Sequence, residues 1–103
     1  MGWGLAERDY QRALASEFVK RKIDFKEQVY IPLKYKGEVI TKYFADFVVE
    51  NKILIELKVV HKLGYSNAKQ VLAYLRSSRL KLGLLVYFTR EGAKYRRVLN
   101  SAV

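Results

Sequence analysis

"VITKYFADFVVENKILIELKVV", residues 39–60, decides the fold. Two runs of strand-forming residues, Val39 to Val49 and Ile53 to Val60, flank Glu50-Asn51-Lys52, a polar connection of hairpin length. The second run carries Glu56 and Lys58 inside its apolar stretch. Side chains two apart on a strand share a face, so these two point one way while Ile55 and Leu57 point to the other, the expected core face. A three-residue loop pairs Val49 with Ile53, and stepping inward then sets Asp46 opposite Glu56. Such partners have Cβ atoms about 5 Å apart; a two-residue loop would shift the register by one. Two carboxylates that close repel unless a positive group lies between them, and a divalent cation with Lys58 beside it meets that need. On spacing alone, a Glu56–Lys58 pair on a wet sheet face reads equally well.

Outward from this hairpin, apolar residues recur at helical spacing from Leu5 to Lys22, with Tyr10, Leu14 and Phe18 on one stripe. Lys20-Arg21-Lys22 suits the negative end of that helix. Gln28 to Tyr35 is rich in strand formers, and its Pro32 predicts an edge strand or an irregularity. Lys36-Gly37-Glu38 reads as the turn into Val39. After Gly64 and Tyr65, Ser66 is placed to cap a helix reaching Ser78. Leu82 to Phe88 is a continuous apolar run, as expected for a strand covered on both faces. Arg90-Glu91-Gly92 turns, and Tyr95 to Leu99 reads as a last short strand. A helix, three antiparallel strands, a crossover helix and a strand parallel to a neighbour make an α/β fold with a mixed central sheet flanked by helices.

The 103 residues are half apolar, which suits a single domain over residues 1–103 with one core. There is no cysteine, so disulfides and thiolate metal sites are excluded. A metal site must use oxygen ligands or the single His61, which favours hard ions, Mg²⁺ or Mn²⁺. No apolar run approaches 18 residues, so a soluble cytoplasmic protein without a membrane partner is expected. Twenty Lys and Arg stand against ten acids, a formal net charge of +10. That surplus points to nucleic acid as a partner. The bases are spread along the chain, with Lys62, Lys69 and Arg76 as candidate contacts.

Three further residues bear on the site. Glu7 lies on the apolar stripe of the first helix, where a carboxylate needs a cation, a hydrogen bond or water. An acid near a helix N-terminus also simply complements the dipole. Gln70 and Tyr74 lie one turn apart and share a helix face; one can orient a water or phosphate oxygen, the other can hydrogen-bond it. His61 follows the strand carrying Lys58 and is left out of the site.

Asp46, then Glu56-Leu57-Lys58, matches D-x(n)-E-x-K, and Gln70 with Tyr74 matches Q-x-x-x-Y on the following helix. Together they resemble the PD-(D/E)XK nuclease superfamily, with its restriction-endonuclease-like core. Gly4-x-x-Glu7-x-x-Tyr10 is similar to the signature of its GxxExxY family, and the likeness runs from Gly4 to about Val98. It implies that Asp46, Glu56 and the Leu57 carbonyl bind Mg²⁺ or Mn²⁺, with Glu7 completing the acidic cluster. It implies that Lys58 orients water or stabilises charge on phosphate, with Gln70 and Tyr74 in support. Two departures stand out: Ala45 precedes Asp46 where the superfamily name has Pro, and relatives usually carry a helix before the Gly4 position. A wall of the site is then expected to be missing or supplied by a second subunit.

The expectation is a metal-dependent nuclease acting on DNA, without base-specific readout. Branched DNA would suit a homodimer. The rivals are a nucleic-acid-binding module that no longer cleaves and a protein-interaction subunit on the same fold.

Overall fold

The computed structural model describes residues 7–59, 65–89 and 92–101. Trp3, Gly4, His61 and Lys62 lie outside these residues, as does most of the turn at Arg90-Glu91. The elements are α1 (Glu7–Lys20), β1 (Phe25–Tyr35), β2 (Glu38–Val49), β3 (Ile53–Val59), α2 (Tyr65–Ser78), β4 (Leu82–Thr89) and β5 (Gly92–Leu99). The strands form one sheet in chain order. All neighbours are antiparallel except β3 and β4, which run parallel and are joined through α2. Pro32 accordingly sits on an edge strand, next to the register shift at Leu33–Lys34.

Local chemistry explains the boundaries. Lys22 adopts φ 57°, the left-handed conformation that stops a helix, so α1 ends at Lys20 and not at Lys22. Lys36 and Gly37 both have positive φ, as a tight hairpin requires. The Glu50–Lys52 loop has three residues and pairs Val49 with Ile53. Three further boundaries differ from the sequence pattern. Strand β1 begins at Phe25, earlier than Gln28, and β5 begins at Gly92, earlier than Tyr95. Ser66 is the second residue of α2 and not its cap, so the helix starts slightly earlier than the polar residue suggests.

Each face of the sheet carries its own apolar cluster. Phe47, Val49, Ile55 and Leu57 meet Leu14, Ala15 and Phe18 of α1 on one face. Ala45, Val48, Leu54, Leu85 and Tyr87 meet Val71 and Leu75 of α2 on the other. Ile55 and Leu57 thus face a core cluster as expected, and a second cluster of similar make-up lies on the other face. Gly83 lets α2 come close: a Cβ there would lie 2.7 Å from Val71 Cγ1.

The hairpin β1–β2 changes face midway. Phe25, Phe47 and Val49 belong to the α1 side, yet Val29, Ile31, Tyr43 and Ala45 belong to the α2 side. Strict alternation would put all these odd-numbered positions on one face. The switch falls where Gln28 takes φ 50° and the pairing passes from Glu27–Phe47 to Val29–Ala45, omitting Gln28 and Asp46.

Candidate active site

Asp46 stands at that switch, so its backbone is released from β1. Its N–H donates instead to Glu56 Oε1 at 3.2 Å. In return the Leu57 N–H donates to Asp46 Oδ2 at 2.8 Å. The regular β2–β3 pairing ends at Phe47–Ile55, and these two bonds carry the strands one step further through side chains. Asp46 therefore lies beside Glu56, as the three-residue loop predicts. Both are largely buried, 9% and 6% exposed, which rules out the wet-face reading. A residue's N–H and C=O point toward the same neighbouring strand, so the Leu57 carbonyl turns to the gap where the ladder has stopped.

The electrostatics follow. Burial pushes the Glu56 carboxyl up to about 7, and the Asp46 charge adds to the rise. The Tyr43 hydroxyl, the Asp46 N–H and the Lys58 ammonium oppose it. Glu7, the first residue of α1, is also raised, by burial and then by Asp46, while Lys58 lowers it. It thus reaches the same neighbourhood from the other layer. Tyr10, one turn on, fixes that end of the helix by stacking on Phe88 with centroids 3.8 Å apart. Among the described residues no three acidic or imidazole side chains converge as a metal cluster. The site offers two close carboxylates, with Glu7 at its rim.

On the other side Tyr74 stacks on Tyr43 with the rings 12° from parallel. Burial and the nearby Glu56 raise both hydroxyls. Gln70 is exposed one turn before Tyr74, and Lys69 and Arg76 are exposed on the same helix. Sequence reasoning missed Tyr43. Its hydroxyl faces Glu56 without completing a well-formed hydrogen bond. Alternation from Asp46 puts Tyr43 on the opposite face, and only the switch at Gln28 and Asp46 brings it round.

The donor set suits a hard divalent cation: oxygen ligands only, two buried carboxylates that repel, and a carbonyl turned to the same gap. An acid on β2, then Glu-x-Lys on β3, at the mouth of a mixed sheet is a constellation with known counterparts. The sequence model of the PD-(D/E)XK nuclease superfamily matches residues 1–98. This chain belongs to that superfamily.

The match is to the superfamily as a whole and does not single out the GxxExxY family. Two solved structures share the fold. The crystal structure of SSO0001 superposes with a TM-score of 0.70 at 20% identity, covering 89% of this chain and 48% of that one. An alkaline exonuclease from Laribacter hongkongensis gives 0.65 at 14% identity, covering 88% and 54%. The chain thus spans about half the length of each. No curated protein matches the sequence. Where the superfamily name has Pro, Ala45 is fully buried under α2, filling a core position with a small side chain.

Proposed function

We propose that this superfamily member hydrolyses phosphodiester bonds in nucleic acid, DNA being the expected substrate, with Mg²⁺ or Mn²⁺ as cofactor. The observation that carries the reading is the reciprocal pair of hydrogen bonds joining Asp46 and Glu56 across the β2–β3 gap. Each carboxylate is oriented through one oxygen, and the other is not used in that pair. Asp46, Glu56 and the Leu57 carbonyl would hold the ion. A bound divalent ion supplies Lewis acidity toward phosphate and lowers the pKa of water. Lys58, on the Glu56 face, offers an ammonium to a phosphate oxygen or an attacking water. Tyr43 and Tyr74 wall the Glu56 side, which keeps the carboxylate desolvated and sensitive to nearby charge. Glu7 marks the likeness to the GxxExxY branch, and in this reading it supports the cluster from its rim.

The test is cleavage of labelled linear and branched DNA and of RNA, with Mg²⁺, Mn²⁺ or EDTA. Metal-dependent cleavage lost in Asp46→Asn and Lys58→Ala supports the proposal. Cleavage that survives both substitutions, or persists in EDTA, overturns the site. Selectivity for branched DNA would imply a homodimer, which sedimentation of the wild type checks.

One observation favours a second reading, a binding module that no longer cleaves: two carboxylates converge among the described residues, not three. Salt-sensitive DNA binding with no metal uptake in calorimetry would establish it.

A further inference from the structure

The positive charge is unevenly placed. Lys and Arg divide equally between the residues before Leu57 and those from Leu57 onward, ten in each part, but nine of the ten acids precede Leu57. Glu91 is the one acid in the later part, so the residues from Leu57 onward hold nine of the ten surplus charges, with five of their cations on α2 and β5.

The sheet register shows where some of it lies. Lys58 pairs with Tyr87, and Tyr87 with Lys94; Glu56 pairs with Leu85, and Leu85 with Arg96. Directly paired residues share a face, so Lys94 and Arg96 stand on the Glu56 and Lys58 face, two strands away or about 10 Å. The Arg96 charge acts on the Tyr87 hydroxyl, which agrees with that placement. Arg97 pairs with Leu84, which packs on the α1 side, so it stands on the opposite face. Helix α2 adds two more cations. Val71 and Leu75 meet Gly83 of β4, and Tyr74 leans toward Tyr43 of β2. At about 100° per residue, Lys69 and Arg76 are two turns apart on the other flank, toward β5. Both are exposed.

We propose that Lys69 and Arg76 of α2, with Lys94 and Arg96 of β5, form a track for the phosphodiester backbone of the strand that enters the Asp46–Glu56–Lys58 site. The inference rests on the nuclease reading of that site and names the surface that holds its substrate. Phosphates alone are recognised, so the track is indifferent to base sequence.

The test compares two neighbouring arginines whose substitutions change net charge equally but on opposite faces. Anisotropy of labelled single-stranded DNA, duplex DNA and RNA is measured in EDTA across a salt series. Arg96→Glu is expected to weaken binding roughly tenfold and to lower the salt slope by about one. Arg97→Glu is expected to change affinity by less than about threefold. Lys94→Gln and Lys69→Gln, milder in charge, should weaken binding in the same direction as Arg96→Glu. In cleavage assays with metal, Arg96→Glu should raise KM and spare kcat. Equal losses at Arg96 and Arg97 would show a general charge effect and overturn the track. So would parental binding by Arg96→Glu, provided its melting curve matches the parent; Arg96→Gln replaces it if it does not. If the wild type cleaves but Arg96→Glu behaves as the parent, the track alone fails. If the wild type binds none of the strands, the nuclease reading fails with it.

Discussion

The hairpin β2–β3 is built differently at its two ends. Beside the turn, Phe47 to Val49 pair with Ile53 to Ile55 through backbone bonds, and apolar side chains fill both faces. One step further the ladder stops, and carboxylates make the bonds that peptides made before. The first end gains by burying surface. The second loses by burying like charges, which cost free energy unless a cation joins them. The comparison teaches that the site is held open by packing next to it, on the same two strands.

Substitution should separate the ends. Asp46→Asn keeps an oxygen for the Leu57 N–H and removes the charge. Cleavage is expected to fall on the order of 10²–10³-fold or more, with the melting temperature of the metal-free chain near the parent's. Leu54→Ala should do the reverse. Leu54 is 0% exposed, so truncation should cost about 2–5 kcal/mol, read by urea unfolding, while the folded fraction still cleaves. A large loss of stability in Asp46→Asn with normal cleavage would erase the distinction.

A smaller effect concerns pH. The folded Glu56 carboxyl sits at about 7, above the roughly 4.3 of an unfolded chain. The fold therefore holds that proton more tightly. The associated stability is fully present below the unfolded value and is lost as pH rises through about 7. In EDTA, wild-type stability relative to Glu56→Gln should decline across this window by at most about 4 kcal/mol. A difference that stays flat with pH would mean that Glu56 is solvated and the far end of the hairpin is not strained. Metal uptake should strengthen over the same range, since the ion competes with the proton.

Much of this was legible in the sequence because turn length sets register. Read as a three-residue loop, Glu50-Asn51-Lys52 sets Asp46 beside Glu56, and Pro32 narrows its strand to an edge or an irregularity. Less legible was the face switch, since left-handed backbone is signalled by Gly or Asn and here falls on Gln28. With the switch hidden, Tyr43 reads as a residue of the other face. Of the proposed charge track, Lys69 and Arg76 were legible as candidate contacts; Lys94 and Arg96 were not, because bases are spread evenly and their face appears only when β5 is registered against β3 through β4.

The smallest expected effect is at Tyr43, and it sharpens the comparison most. Tyr43→Phe keeps the ring stacked on Tyr74 and removes a hydroxyl that lacks a good partner, so stability should change by less than about 1 kcal/mol. That hydroxyl favours the charged form of Glu56. Without it the carboxyl should hold its proton to higher pH, and the pH profiles of metal uptake and cleavage should both move upward. A purely structural tyrosine would lower the amount of active protein and leave the profile in place. An unmoved midpoint in Tyr43→Phe would therefore confine the site to the two strands, whereas a shifted one extends it to the hydroxyl that the kink at Gln28 and Asp46 turns inward.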